Sequence, residues 1–144
     1  MMPSMKRLAV SSHHPSDKGG EMNVTLWILQ VVVGVFFAIS GHGKAFNSWE
    51  SMQRIPWIDG VSLGLMRFIG WSELLGGIGP ILPAATKIKP VLTPMAAVGL
   101  TLVMILATGF HVMRRKYMFV ILTAAVGAIT AFIAYGRFAL KPIQ

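Results

Sequence analysis

One acidic residue, Glu73, lies inside a long apolar segment, where a charge is costly. The segment runs from Val61 to Pro83 and carries one other charge, Arg67. In a helix that rises ~1.5 Å per residue, Glu73 lies ~18 Å from one end and ~15 Å from the other. A carboxylate at that depth in a membrane costs roughly 2.5–3.5 kcal/mol on insertion scales, so such residues usually pair with a partner or serve a site. Glu73 is therefore the principal candidate for chemistry.

Glycines surround Glu73 at helical spacing. Gly70, Gly76 and Gly77 lie three or four residues away, on the same helix face. Small residues let a neighbouring helix approach closely, so this face is expected to press against another helix and to point Glu73 into the bundle. Two hypotheses stay open. Glu73 is a functional carboxyl group, or it is a buried ion pair or neutral glutamic acid that only fixes helix packing.

Further cations are expected on one side of Glu73. His42 and Lys44 end the first apolar run, and His111 ends the third. In an antiparallel bundle these ends share the side on which Arg67 lies, which would form a polar pocket open to the outer face. A proton-linked site titrated by histidine is one interpretation. The alternative is that the helix dipole and interfacial water stabilise these residues singly, with the Arg67 side chain reaching to the headgroups.

Several chemistries are excluded or disfavoured by residue type. The chain has no cysteine, which excludes thiol redox chemistry, thiolate metal sites and a cysteine nucleophile. Two histidines and one glutamate could bind zinc, but they come from different helices without an i,i+4 pair, so we expect no metal. No P-loop, GxGxxG or GxSxG motif is present, and we assign no catalytic residue. Nucleic-acid binding has only the net charge of +8 to support it, so we expect none.

The elements that position these residues are four apolar runs. The 144-residue chain is 54% hydrophobic and 12% charged, with mean hydropathy +0.65, whereas soluble domains carry about 25% charged residues. About 20 apolar residues cross the ~30 Å hydrocarbon core as a helix, and runs this long suit helices rather than barrel strands. Because the connecting loops are short, we predict an all-α integral membrane four-helix bundle of antiparallel up-down topology. The predicted helices span about 22–43, 61–83, 91–111 and 118–137.

The same pattern predicts the domain organisation and the orientation. Residues 1–21 are expected to form a disordered cytoplasmic tail, 22–138 the transmembrane domain and 139–144 a short C-terminal tail. The side with both termini carries seven Lys and Arg against five on the other. This bias favours a multi-pass protein of the inner or plasma membrane with cytoplasmic termini. Trp49 and Trp57 of the first loop are interpreted as interfacial anchors, with a lid role as the alternative.

From Val24 to Phe138 the chain resembles the DoxX-like family of small four-helix bacterial membrane proteins. Three stretches carry the resemblance: GHGKAF at 41–46, similar to the family's G-x-x-K-L; RFIGWSELLGG at 67–77 followed by Pro83, similar to its G-x-x-E-x-x-G helix; and ATGFH at 107–111 with Arg114-Arg115, then AYGR at 134–137. Ala45 replaces the usual leucine, which concerns packing. The resemblance implies a four-helix fold, with Lys44, Glu73, His111 and Arg137 at motif positions.

The resemblance also implies a class of function. Relatives include a subunit linked to thiosulfate:quinone oxidoreduction and components of membrane oxidative-stress complexes. We therefore expect a membrane subunit or scaffold of a redox or stress-response complex, not an enzyme on its own, with a quinone or lipid-like ligand bound beside Glu73. Expected partners are the lipid bilayer, a redox enzyme and a second copy of the chain. The alternatives are a small proton-coupled transporter, and an assembly factor without a small-molecule site.

Overall fold

The computed structural model describes residues 18–56 and 58–143, and the regular secondary structure in these ranges is entirely helical. This confirms the all-α prediction. The elements are α1 (Lys18–Phe46), α2 (Trp49–Gln53), α3 (Leu63–Ile78), α4 (Leu82–Thr86), α5 (Leu92–Met113), α6 (Tyr117–Tyr135) and a π-helical turn (Gly136–Leu140). Lys18–Glu21, predicted as part of the tail, form the first turn of α1. The rest of that tail and Trp57 lie outside the described residues.

Helix α3 is shorter than the predicted 61–83. Ser62 caps its start by accepting a hydrogen bond from the Leu65 N–H at 3.3 Å. The helix ends at Ile78, and Gly79 still donates to the Leu75 carbonyl, but Pro80 has no N–H to continue the ladder. The chain turns and resumes as the one-turn helix α4, with Pro83 in its first turn, where a missing N–H costs nothing.

Glycines set the contact between α1 and α3, as the spacing around Glu73 predicts. A Cβ added to Gly41 would lie 2.6 Å from the Gly70 carbonyl oxygen, and one added to Gly34 would lie 2.8 Å from that of Gly77. The two backbones therefore touch at two levels. Because the residue numbers rise on one helix as they fall on the other, the helices are antiparallel.

Two threonine pairs join α5 to α6. Thr101 and Thr130 are hydrogen-bonded at 2.9 Å, and Thr108 and Thr123 at 2.8 Å. These helices are therefore antiparallel as well. Hydroxyl pairs of this kind are a common way to link helices in lipid, where apolar side chains give little drive for association.

The four long helices close into an antiparallel up-down ring, which confirms the predicted topology. Gly76 of α3 contacts Leu100 of α5, and Gly136 after α6 contacts Leu26 of α1. An apolar layer fills the middle of the ring. Its buried members come from α1, α5 and α6: Val33, Phe37, Ala97, Leu100, Met104, Ile133 and Ala134.

Three described helices are long and apolar enough to cross a membrane: Lys18–Phe46, Leu92–Met113 and Tyr117–Leu140. They correspond to the predicted spans 22–43, 91–111 and 118–137. The remaining helix, α3, has 16 residues, which at ~1.5 Å per residue gives ~24 Å, less than the ~30 Å of a hydrocarbon core. Large apolar side chains such as Leu106 and Met118 stand exposed around the bundle. An exposed surface this apolar is what lipid contact requires.

Candidate functional site

The buried carboxylate of Glu73 is paired with Lys44. The Lys44 ammonium donates to Glu73 Oε1 at 2.6 Å and to Oε2 at 2.7 Å. It also donates to Ser40 Oγ, one turn earlier on α1, at 2.8 Å. Glu73 is 4% exposed. The lysine thus engages both oxygens of a carboxylate that lipid would otherwise leave uncompensated.

The glycine contact between α1 and α3 positions this pair. A Cβ on Gly41 would lie 3.0 Å from the Glu73 Cβ, and one on Gly70 would lie 2.9 Å from the Lys44 Cβ. This close approach of α1 and α3 brings the side chains of Lys44 and Glu73 together across the contact between the two helices. The prediction that the glycine face points Glu73 into the bundle is confirmed.

Arg67 caps the C-terminal end of α1. Its guanidinium donates to the carbonyl oxygens of Ala45, of Asn47 at 2.8 Å and of Lys44 at 3.3 Å. The last carbonyls of a helix have no partner within it, and cationic donors stabilise them. Arg67 therefore holds the backbone that carries Lys44, instead of extending to the headgroups.

The two histidines of the predicted site are placed differently. His111 is buried at the end of α5 and stacks on the Phe119 ring at 5.2 Å between centroids. His42 is exposed, with its ring 5.0 Å from that of Phe46. The structure thus places His111 inside the bundle at its Glu73 end and leaves His42 on the outer surface of α1.

Arg137, the remaining predicted site residue, lies at the opposite end of the bundle. Its Nε donates to Gln30 Oε1 at 2.6 Å, and Gln30 Nε2 donates to the Pro80 carbonyl at 2.6 Å. Gln30 precedes Lys44 by nearly four turns of α1, or ~21 Å at ~1.5 Å per residue. The structure therefore separates Arg137 from Glu73. Gln30 was missed, although a glutamine in an otherwise apolar run was a readable signal.

The first loop folds into a cap over the Glu73 end of the bundle. Buried apolar side chains hold it there, packed against Phe110 of α5: Met52, Ile58, Val61 and Met66. Arg114, after α5, donates to the Asp59 carbonyl, and its guanidinium lies 4.8 Å from the centre of the Phe110 ring. We name residues 47–62 the cap. Its apolar residues at Met52, Ile55, Ile58 and Val61 were the sequence signal for it.

A cleft opens between α3 and α5 on the outer surface of the bundle. It encloses ≈320 Å³ and is almost entirely apolar, lined by Ser72, Leu75, Gly76, Ala96, Gly99, Leu100 and Val103. A Cβ added at Gly99 would meet nothing within 4 Å. Within the described ranges, no three His, Asp or Glu side chains come together as a group that could hold a metal ion.

The fold and the site define a small integral membrane protein, a four-helix bundle with a buried lysine–glutamate pair near one end. The sequence model of the DoxX-like family matches residues 28–133, which is most of the chain. The protein belongs to the DoxX-like family. Comparisons with curated proteins and with solved structures gave no significant match.

Proposed function

We propose that the protein is a membrane scaffold, a subunit that supports a redox or stress-response complex in the bilayer. The observation that carries this proposal is the Lys44–Glu73 pair, in which a buried carboxylate has both oxygens engaged by one ammonium. A group held in this way fixes α1 against α3. The pair then gives the bundle one rigid geometry, which a docking partner requires.

The layering of the bundle favours a scaffold over a proton-coupled transporter. In the described residues, the Lys44–Glu73 pair and the Arg137–Gln30 pair are separated by the apolar layer that contains Val33, Phe37 and Leu100. A proton path needs polar side chains or water through such a layer, because a charge in hydrocarbon is costly. The two polar pairs therefore stabilise opposite ends of the bundle and do not form one proton path.

The α3–α5 cleft supports a second element of the proposal, a quinone or lipid-like ligand. The cleft is apolar and opens to the membrane side, and its one polar lining side chain, Ser72, is already bonded to the Phe68 carbonyl at 2.8 Å. A site of this kind suits an isoprenoid or acyl chain better than a charged solute. A redox role would depend on such a carrier or on a partner, because the chain has no cysteine.

The proposal includes the orientation with both termini in the cytoplasm of an inner or plasma membrane. Lys44 and Arg67 make hydrogen bonds within the bundle, so neither is counted as a loop charge for the positive-inside rule. The remaining Lys and Arg residues give the weak excess on the side of the termini that the positive-inside rule associates with the cytoplasm.

Native mass spectrometry of the protein extracted from its own membranes with endogenous lipids tests the proposal. We expect a retained partner subunit, or a retained quinone or lipid mass that is lost in Gly99→Leu, which places a bulky side chain in the cleft where a Cβ meets nothing within 4 Å. Gly64→Leu is the matched control, since a Cβ there also meets nothing within 4 Å and Gly64 does not line the cleft. A protein that retains neither, and that drives a Glu73-dependent proton flux in liposomes, would overturn the proposal.

A further inference from the structure

We propose that Arg137 forms a binding site for the phosphate group of an anionic ligand, at the end of the bundle opposite Glu73. Arg137 is 3% exposed, and its guanidinium is held on two edges. Nε donates to Gln30 at 2.6 Å and Nη1 to Asn23 Oδ1 at 2.7 Å, while the group lies 5.5 Å from the centre of the Trp27 ring. These contacts are with neutral groups, so they orient the cation without neutralising it.

The third edge of the guanidinium is buried and has no hydrogen-bond partner among the described residues. This edge is Arg137 Nη2, and no carboxylate among those residues lies within 4 Å of the guanidinium. Thr93 Oγ1, in the first turn of α5, is also buried and unpartnered. Helix α5 packs against the π-helical turn that carries Arg137, so both unmet groups belong to one end of the bundle. Buried polar groups are nearly always satisfied, and a buried cation calls for an anion.

The charge of this end agrees with an anionic ligand. Lys18, Lys87, Lys89 and Lys141 lie at the same end as Arg137, with the exposed Glu21 as the described carboxylate. In the proposed orientation this end is cytoplasmic, where basic groups between helix ends commonly bind anionic lipid headgroups. A phosphate group has several oxygens that can accept two parallel hydrogen bonds from the forked guanidinium of an arginine, which the ammonium of a lysine cannot donate in that geometry.

The position of Arg137 also favours a phosphate at headgroup depth. It lies in the last turn before Leu140, where the fourth span ends. Residues 141–143 follow without helical structure, and the Lys141 carbonyl is 3.4 Å from Nη1. A shift of this short segment would open the guanidinium to the interface. The phosphate could come from a lipid headgroup or from free phosphate.

Lipid and phosphate titrations distinguish the two sources. By native mass spectrometry, we expect the wild type to retain phosphatidylglycerol over phosphatidylcholine, and Arg137→Gln to bind it about tenfold more weakly, as loss of one charge-assisted hydrogen bond implies. Arg115→Gln, which removes an exposed cation at the opposite end of the bundle, should bind as the wild type does. If free phosphate is the ligand, inorganic phosphate in a zwitterionic detergent should raise the Tm of the wild type and not of Arg137→Gln.

A second variant keeps the test valid if Arg137→Gln does not fold. Arg137→Lys retains the charge but not the fork, so its affinity should lie between those of the wild type and the glutamine variant. Equal retention of both lipids by the wild type, with no response to phosphate, would overturn the proposal. Equal phosphatidylglycerol binding by wild type and Arg137→Gln would overturn it as well. This site is independent of the proposed scaffold role.

Discussion

Removing one partner of the Lys44–Glu73 pair should destabilise the protein strongly. In Glu73→Gln the ammonium keeps Ser40 and loses the carboxylate that it contacts at 2.6 and 2.7 Å. Breaking a buried ion pair from one side costs about 3–5 kcal/mol, because the other charge remains buried and uncompensated. Lys44→Met should cost a similar amount for the same reason. Replacing both, as in Lys44→Met with Glu73→Leu, should cost far less than the sum of the single changes.

Reversible unfolding in mixed micelles with increasing dodecyl sulfate, followed by circular dichroism, measures these free energies. Glu50→Gln is the matched control, because Glu50 is exposed on α2; it should change the free energy of unfolding by less than about 0.5 kcal/mol. Equal, small losses of stability in Glu73→Gln and Glu50→Gln would contradict a stabilising ion pair. Losses in the two single variants that simply add in the double variant would contradict it as well.

The remaining predictions concern the groups that support the pair and the cap. Gly41→Leu should prevent tight association of α1 with α3, since a Cβ there meets the Gly70 carbonyl at 2.6 Å, whereas Gly99→Ala should fold normally; thermal unfolding compares them. Arg67→Met should cost about 1–2 kcal/mol through lost capping of α1, and equal unfolding curves for this variant and the wild type would contradict that role. Arg114→Gln should release the cap, seen as faster hydrogen exchange over residues 49–61 with α6 unchanged; unaltered exchange in the cap would show that its apolar contacts suffice.

The sequence predicted the Glu73 end of the molecule better than the opposite end. Apolar run lengths determine the helices, the glycines around Glu73 give the face that packs, and the antiparallel order brings Lys44 to the same end of the bundle. The choice of Lys44 as the direct partner depends on the close approach at Gly41, a distance that spacing alone does not provide. Arg67 was the harder case, because a cation that caps a neighbouring helix has the same local sequence as one that reaches the headgroups.

Arg137 shows that a residue at a motif position need not lie close to the other motif residues in the structure. Its position suggests a common site with Glu73, yet the antiparallel order places it beside Gln30 and Pro80, nearly four helical turns away from Lys44 along α1. The predicted end of α3, at Pro83, was also wrong. The apolar run continues through Pro80, but the helical hydrogen bonds do not. Both differences arise from backbone geometry, which a one-dimensional apolar pattern does not record.

The central claim is that Glu73 serves structure and not ligand turnover, and one comparison tests it most directly. Wild type and Glu73→Gln, extracted side by side with endogenous lipids, are examined by native mass spectrometry on the folded fraction. We expect a lower yield of folded Glu73→Gln, with the same bound masses per folded molecule as in the wild type. A variant that folds as well as the wild type and has lost a bound ligand or partner would contradict it.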